Sequence, residues 1–322
     1  MKFSKSASLL AGAAAVVAAL AQAPVFAQSV AVTSIVEHPA LDAIKDGVKE
    51  VLDEAGYAKQ GDFKWQFQTA QGNTAIAAQI ARKFVGDNPD VIVAIATPSA
   101  QAVVSATKTI PVVYSGVTDP VAAQLVPSMN ASGTNVTGVS DSLALEKQID
   151  LIKQVSPQAK RVGIVYNPGE ANSAVVVKQL RELLPKADMS LVEATAARTV
   201  DVGAAARSLV GKVDVIYTNT DNNVVSAYES LVKVGNDAKI PLIASDTDSV
   251  KRGAIAALGV NYHDLGLQTG KIVVRILKGE KPGDIASETS DKLELYVNLA
   301  AAKKQGVTLS DEFIKSATQV IE

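Results

Sequence analysis

Cysteine is absent from all 322 residues, which excludes disulfides, iron–sulfur clusters and thiolate zinc sites. Histidine occurs only at His38 and His263, far apart in the chain. Aromatic residues make up 4%, so any core must rest on Ala, Val, Ile and Leu. A formal net charge of -2 leaves no basic excess to attract nucleic acid or anionic lipid. Past the N-terminal region no stretch reaches the ~18 uninterrupted apolar residues of a membrane span. What is present suits a packed fold: 48% hydrophobic and 20% charged residues, in a chain long enough for two domains.

Residues 1–27 read as a cleaved signal peptide. Lys2 and Lys5 form a basic start, residues 9–20 are an apolar run, and Val25-Phe26-Ala27 supplies a cleavage site after Pro24. The run is too short for a membrane anchor, and no Cys follows it to carry a lipid. The mature chain is expected to begin at Gln28 and to reside in the periplasm.

From Val30 onward, short β-branched runs alternate with stretches of helical spacing. Strands are expected at 30–35, 63–69, 90–96, 110–115, 161–166, 191–194, 213–217 and 240–244. Helices are expected between them, at 40–55, 73–84, 99–107, 145–155, 173–184, 204–210 and 224–234. Such alternation gives parallel sheets with helices on both faces. The stretch "DVIVAIATPSAQAV" at Asp90 is echoed by "DVIYTNTDNNVVSA" at Asp214, and "IPVVYSGVTDP" at Ile110 by "IPLIASDTDSV" at Ile240. Two echoes in the same order favour two lobes of one architecture. The tail reads as a strand, a polar turn, a long helix from about 262, a further strand-like run at 291–299, and helix toward the end.

Ligands of open α/β sheets sit beyond the carboxyl ends of the strands, where helix N-termini offer free N–H groups. Those ends carry Thr33, Ser34, Glu37 and His38; Thr97, Ser99 and Gln101; Thr118 and Asp119; Ser140 and Asp141; Asn167, Glu170, Asn172 and Ser173; Asn219, Thr220, Asp221 and Asn222; and Ser245, Asp246 and Asp248. Lys and Arg are absent from these groups, which tells against phosphate or sulfate. Carboxylates suit an ammonium, and hydroxyls with helix N-termini suit a carboxylate; an α-amino acid has both. Ser99, Asn172, Ser173 and Asn222 read equally well as helix caps. Asp141, Asp221 and Asp246 are harder to explain as caps, because several acids at one sheet end repel unless a cation or donor joins them. In the polar run 218–223, Asn222 or Asn223 is expected to start the helix while Asn219 and Asp221 face the ligand. No G-x-S-x-G, P-loop, H-E-x-x-H or G-x-G-x-x-G is present, so nothing marks an enzyme.

The segments "VAVTSIVEHPALDAIKDGVKEVLDEAGY", "IATPSAQAV", "IPVVYSGVTDPVAAQLV", "TGVSD", "YNPGEANS", "TDNNVVS" and "YHDLGLQTGKIVVRILKGEKPGDI" resemble, in this order, the ABC-transporter substrate-binding family that includes tryptophan- and other aromatic amino-acid-binding proteins. The resemblance implies the type I periplasmic-binding-protein fold: two Rossmann-like α/β lobes, a hinge of three crossovers, and a ligand enclosed between the lobes. Lobe 1 would comprise 29–140 with 251–280, and lobe 2 141–250 with 281–322. The ligand-binding residues would be Ser34, Thr97, Ser99, Gln101, Asp141, Glu170, Asn172, Asn219, Asp221 and Asp246, with no cofactor and no metal. The partners would be a small solute, most simply an amino acid, and an ABC permease in the inner membrane; the protein is expected to be a monomer. The loops offer few aromatic partners for a ring, which keeps smaller amino acids open. A sensor subunit and a secreted enzyme on the same fold are the alternatives.

Overall fold

The computed structural model describes residues 28–290 and 292–322; the expected signal peptide at 1–27 lies outside the described residues. The first half of the chain contributes β1 (Ser29–Ser34), β2 (Lys64–Thr69), β3 (Val91–Ile95), β4 (Val112–Val117) and β5 (Val136–Ser140). Then follow β6 (Arg161–Tyr166), β7 (Ser190–Thr195), β8 (Val215–Thr218), β9 (Leu242–Ala244) and β10 (Ala256–Val260). The tail adds β11 (Glu288–Thr289), β12 (Leu293–Asn298) and β13 (Gln319–Ile321). Helices α1 (Pro39–Glu54), α2 (Thr74–Asp87) and α3 (Thr97–Ala106) connect the first strands. Next come α4 (Leu145–Val155), α5 (Ala171–Leu183), α6 (Val202–Ser208), α7 (Asn222–Ser226), α8 (Tyr228–Ala238) and α9 (Thr247–Arg252). Helices α10 (Tyr262–Leu277), α11 (Leu299–Lys304) and α12 (Asp311–Ser316) complete the set.

The strands form two sheets, in the orders β11-β5-β4-β3-β1-β2 and β13-β12-β10-β9-β8-β6-β7. Neighbours pair in parallel, except that β12 runs antiparallel to β10. The central strands β3 and β4 are buried along their whole length, and their runs of Val and Ile are what a parallel sheet covered on both faces requires. Helix α1 follows from its sequence. His38 caps it by accepting from the Leu41 N–H, Pro39 takes its first position, and Leu41, Ile44, Val48 and Leu52 lie buried on one face. That face meets α10 closely: a Cβ on Gly47 would fall 2.6 Å from the His263 carbonyl oxygen, and one on Gly266 would collide with the Ile44 backbone. Only glycine permits this approach.

The strand pairings move two expected boundaries. Residues 256–260, expected in lobe 1, belong to the second sheet, where β10 pairs with β9 and β12. The chain therefore returns at Asn261, and α10 packs into the first core through Leu265, Ile272 and Val273. Likewise β11 pairs with β5 in the first sheet, so the last crossing falls between β11 and β12 rather than near 280. Buried strands of the two sheets look alike in sequence, and only their partners distinguish them. The helix expected at 224–234 is two, broken at Ala227. No helix among the described residues is long and apolar enough to cross a membrane.

Candidate functional site

The two lobes meet with the carboxyl ends of both sheets facing each other. In lobe 1, β3 runs into α3 through Ala96, whose φ of 70° is strained for a residue with a Cβ. The bend is held by the Ala96 N–H donating to the Ser115 carbonyl at 2.9 Å. Helix α3 has no side-chain cap, so its first N–H groups, on Thr97 and Ser99, lack helical partners at the positive end of the dipole. The hydroxyls of Thr97 and Ser99 are buried and unpartnered as well.

Lobe 2 is built differently at the related turn. Asp221 caps α7: one carboxylate oxygen accepts from the Asn223 and Val224 N–H groups, both at 3.1 Å. The other accepts from the Asn167 N–H and the Ser173 hydroxyl, both at 2.6 Å. Ser173 Oγ in turn accepts from Asn219 Nδ2 at 3.0 Å. Glu170 Oε2 accepts from Asn222 Nδ2 at 2.6 Å, the Asn222 N–H at 3.1 Å and Asn172 Nδ2 at 3.1 Å. Asp246 caps α9 through the Ser249 N–H and hydroxyl, at 2.8 and 2.7 Å.

At the hinge, Tyr262 opens α10 and donates its hydroxyl to Asp141 Oδ2 at 2.6 Å, leaving Asp141 Oδ1 buried without a partner. The Thr118 and Thr220 hydroxyls meet at 3.3 Å across the lobes, so the cleft is closed. A cavity of about 240 Å³ remains, walled by Pro120, Met129, Leu143, Leu145, Val176 and Tyr217 on its apolar side and by Asp141, Asn219 and Thr220 on its polar side. Beside it lies a slit of about 20 Å³ between Thr97, Asp141, Asn172, Asn222, Asp246 and Tyr262, room for roughly one water-sized group. Thr118, Asp141 and Thr220 border both spaces, which makes them two ends of one cleft.

No Lys or Arg lines either end. Burial accordingly pushes the Asp141, Asp221 and Asp246 carboxyls above their ordinary range. Burial, and then the charge of Asp221, pushes Glu170 up to about 7. His38, beside the slit, is pushed down to about 3 by burial and then by Arg252, and stays neutral.

Among the ten expected ligand residues, Thr97, Asp141, Asn172, Asn219 and Asp246 stand at the cleft wall. Ser99, two residues on, is fully buried and does not line the cleft. Ser34 donates its hydroxyl to the Val36 carbonyl, and Gln101 faces an outer groove with Thr74, Arg82 and Gly169. Glu170 and Asp221 sit behind the lining; the expectation that Asp221 faces the ligand is corrected, because all its hydrogen-bonding capacity goes to its own lobe. Tyr217 and the apolar wall at Met129 and Leu145 escaped sequence reasoning. They lie inside a strand, a loop and a helix whose apolar residues read as ordinary core. The aromatic wall that the loops lacked thus comes from the end of β8.

A family model described as ABC transporter substrate binding protein matches residues 29–321. A curated tyrosine-binding protein of Clostridioides difficile (strain R20291) is 42% identical over 84% of this chain and 79% of its own. A crystal structure of an ABC domain from Streptococcus pneumonia in complex with L-Trp is 34% identical, with a TM-score of 0.88 over 92% of this chain and 100% of that one. The ligand-free, open structure of a substrate-binding protein with adhesive properties from Clostridium difficile is 39% identical, covers 92% and 99%, and superposes with a TM-score of 0.69. The better superposition is on the L-Trp complex, although the open structure is nearer in sequence. That ordering matches the closed cleft.

Proposed function

The chain belongs to the ABC transporter substrate-binding family, an extracytoplasmic group with the type I two-lobed fold, and from that premise we propose that it binds an aromatic amino acid between its lobes and delivers it to an inner-membrane permease. The observation that carries this reading is the polarity of the cleft. Lobe 1 offers an uncapped helix N-terminus with the Thr97 hydroxyl, which suits a carboxylate. The hinge and lobe 2 offer Asp141 and Asp246 on a wall that carries no Lys or Arg, which suits an ammonium. Between Leu145, Met129 and Tyr217 there is an apolar chamber for a ring. The tyrosine- and tryptophan-binding relatives support the choice of side chain.

Transport requires only that the ligand bind the closed form better than the open one, because differential contact with both lobes shifts the population. The chain would reach the periplasm through the signal peptide at 1–27. Isothermal titration with L-tyrosine and L-tryptophan tests the proposal. Binding of at least one is expected, with Asp141→Asn weakening it about tenfold or more, in line with a lost charge-assisted hydrogen bond. Binding of neither would sink it.

A further inference from the structure

The buried carboxylates Glu170 and Asp221 have no ligand to hold, yet keeping two acids within one dry lobe is costly. Their hydrogen bonds suggest why they are there. Glu170 Oε2 accepts from the Asn222 backbone N–H, which can only donate, so any proton Glu170 takes up sits on its other oxygen, and an asparagine amide that meets Oε2 must turn its NH2 group inward and its carbonyl oxygen away. We propose that Glu170 and Asp221 are positioning residues that fix three asparagines at the cleft with their carbonyl oxygens toward the ligand, so that lobe 2 presents acceptors to an ammonium.

Glu170 Oε2 holds two of the amides, and Asp221 holds the third through Ser173. Asn172 Nδ2 lies between Glu170 Oε2 at 3.1 Å and the Thr220 carbonyl at 3.0 Å, both obligatory acceptors. Its Oδ1 is therefore the free end, and it is buried without a partner at the slit. Asn222 Nδ2 is held by Glu170 at 2.6 Å. Asn219 is held through a relay. The Ser173 hydroxyl commits its proton to Asp221 at 2.6 Å, so toward Asn219 it can only accept. Asn219 Oδ1 is then the second buried, unpartnered carbonyl, on the wall of the larger cavity. Across the cleft, Asp141 Oδ1 is a further unpartnered acceptor. Every oriented group on this side of the cleft seeks a donor.

The inference rests on the reading that the ligand carries an ammonium, and its test separates the two. L-tyrosine and L-tryptophan are titrated into the unmodified protein, Glu170→Gln, Asn222→Asp, the Glu170→Gln/Asn222→Asp double variant and Ser173→Ala, with thermal unfolding of each as a control. Glu170→Gln introduces a donor and frees the Asn222 amide to turn, so this variant should bind the amino acid at least tenfold more weakly. In the double variant the carboxylate introduced by Asn222→Asp accepts from the amide introduced by Glu170→Gln. Oxygen again faces the cleft, so at least half of the loss, on a logarithmic scale, should return. Ser173→Ala releases only Asn219 and should cost about threefold; it carries the test if Glu170→Gln fails to fold. Unchanged affinity in a folded Glu170→Gln or Ser173→Ala protein, or a loss that the double variant does not reverse, would overturn the inference. Failure of the unmodified protein to bind either amino acid would instead remove the parent reading, and the inference with it.

Discussion

The turns at 96–99 and 218–222 occupy the same place in the two lobes and come from similar sequences, but they solve the helix start in opposite ways. Lobe 1 leaves α3 uncapped, bends the chain through a strained Ala96 and buries hydroxyls without partners. Lobe 2 caps α7 with Asp221 and satisfies that carboxylate four times over. One turn leaves its donors free; the other commits them to its own fold. On the proposed reading, the direction of a bound zwitterion follows from which helix lacks an internal cap.

This contrast can be broken in several ways. The largest effect is expected from Asp221→Ala, which strands the buried N–H groups of Asn223 and Val224, the half-buried Asn167 N–H and the Ser173 hydroxyl. It should cost about 3 kcal/mol or more of stability in urea unfolding, given ~1–3 kcal/mol for each buried group left unpaired and partial relaxation. A loss below about 1 kcal/mol would mean that the cap matters little.

The second is a pH effect with opposite signs in the two lobes. Glu170 of lobe 2 sits at about 7 against an ordinary 4.5, so its folded form takes up a proton first. Its contribution therefore makes the protein more stable as pH falls from 7 to 4.5, by up to about 3 kcal/mol. His38 of lobe 1 sits at about 3 against 6.5, so its stability is complete above 6.5 and drains away as pH falls. Glu170→Gln removes the Glu170 contribution and leaves that of His38. Its melting temperature should drop more steeply on acidification from pH 7 to 4.5 than that of the unmodified protein, and parallel curves would contradict the assignment.

Thr97→Val comes third. It keeps the shape, removes a hydroxyl with no partner in its own fold, and should weaken amino-acid binding about tenfold, or ~1.4 kcal/mol, with stability unchanged. Equal losses of both would place Thr97 in the scaffold. The smallest effect is expected for Ser99→Ala, which should leave the ligand-free protein as stable or up to about 1 kcal/mol more so, because a buried orphan hydroxyl is relieved. Marked destabilisation would show that Ser99 has a structural partner.

The architecture was legible because it rests on local pattern: the alternation of β-branched runs with amphipathic stretches, and the paired echoes at Asp90 and Asp214. The boundary at β10 was not, because "AIAALGV" is equally at home in either sheet until its neighbours are known. The acids show the same limit more sharply. Asp141, Asp221 and Asp246 each follow a strand, and nothing local ranks them. Asp221 is removed from the cleft by Asn167 and Ser173, some fifty residues away, whereas Asp141 is left with a free oxygen because Tyr262 supplies only one donor. Pairings over such separations are tertiary facts. Asp221 and Asp246 each stand immediately before a helix, a capping position, and so even this local pattern does not separate them.

The three crossings of the hinge also bear on the order in which the protein can be made. The first core needs Leu265, Ile272 and Val273 from α10, and its sheet gains its last edge only at Glu288–Thr289. A growing chain therefore starts lobe 1 first but cannot finish it until β6 to β10 of lobe 2 have been synthesised. Contacts of such long sequence separation slow folding. On the proposed export through the segment 1–27, late completion of the leading lobe would keep the chain threadable.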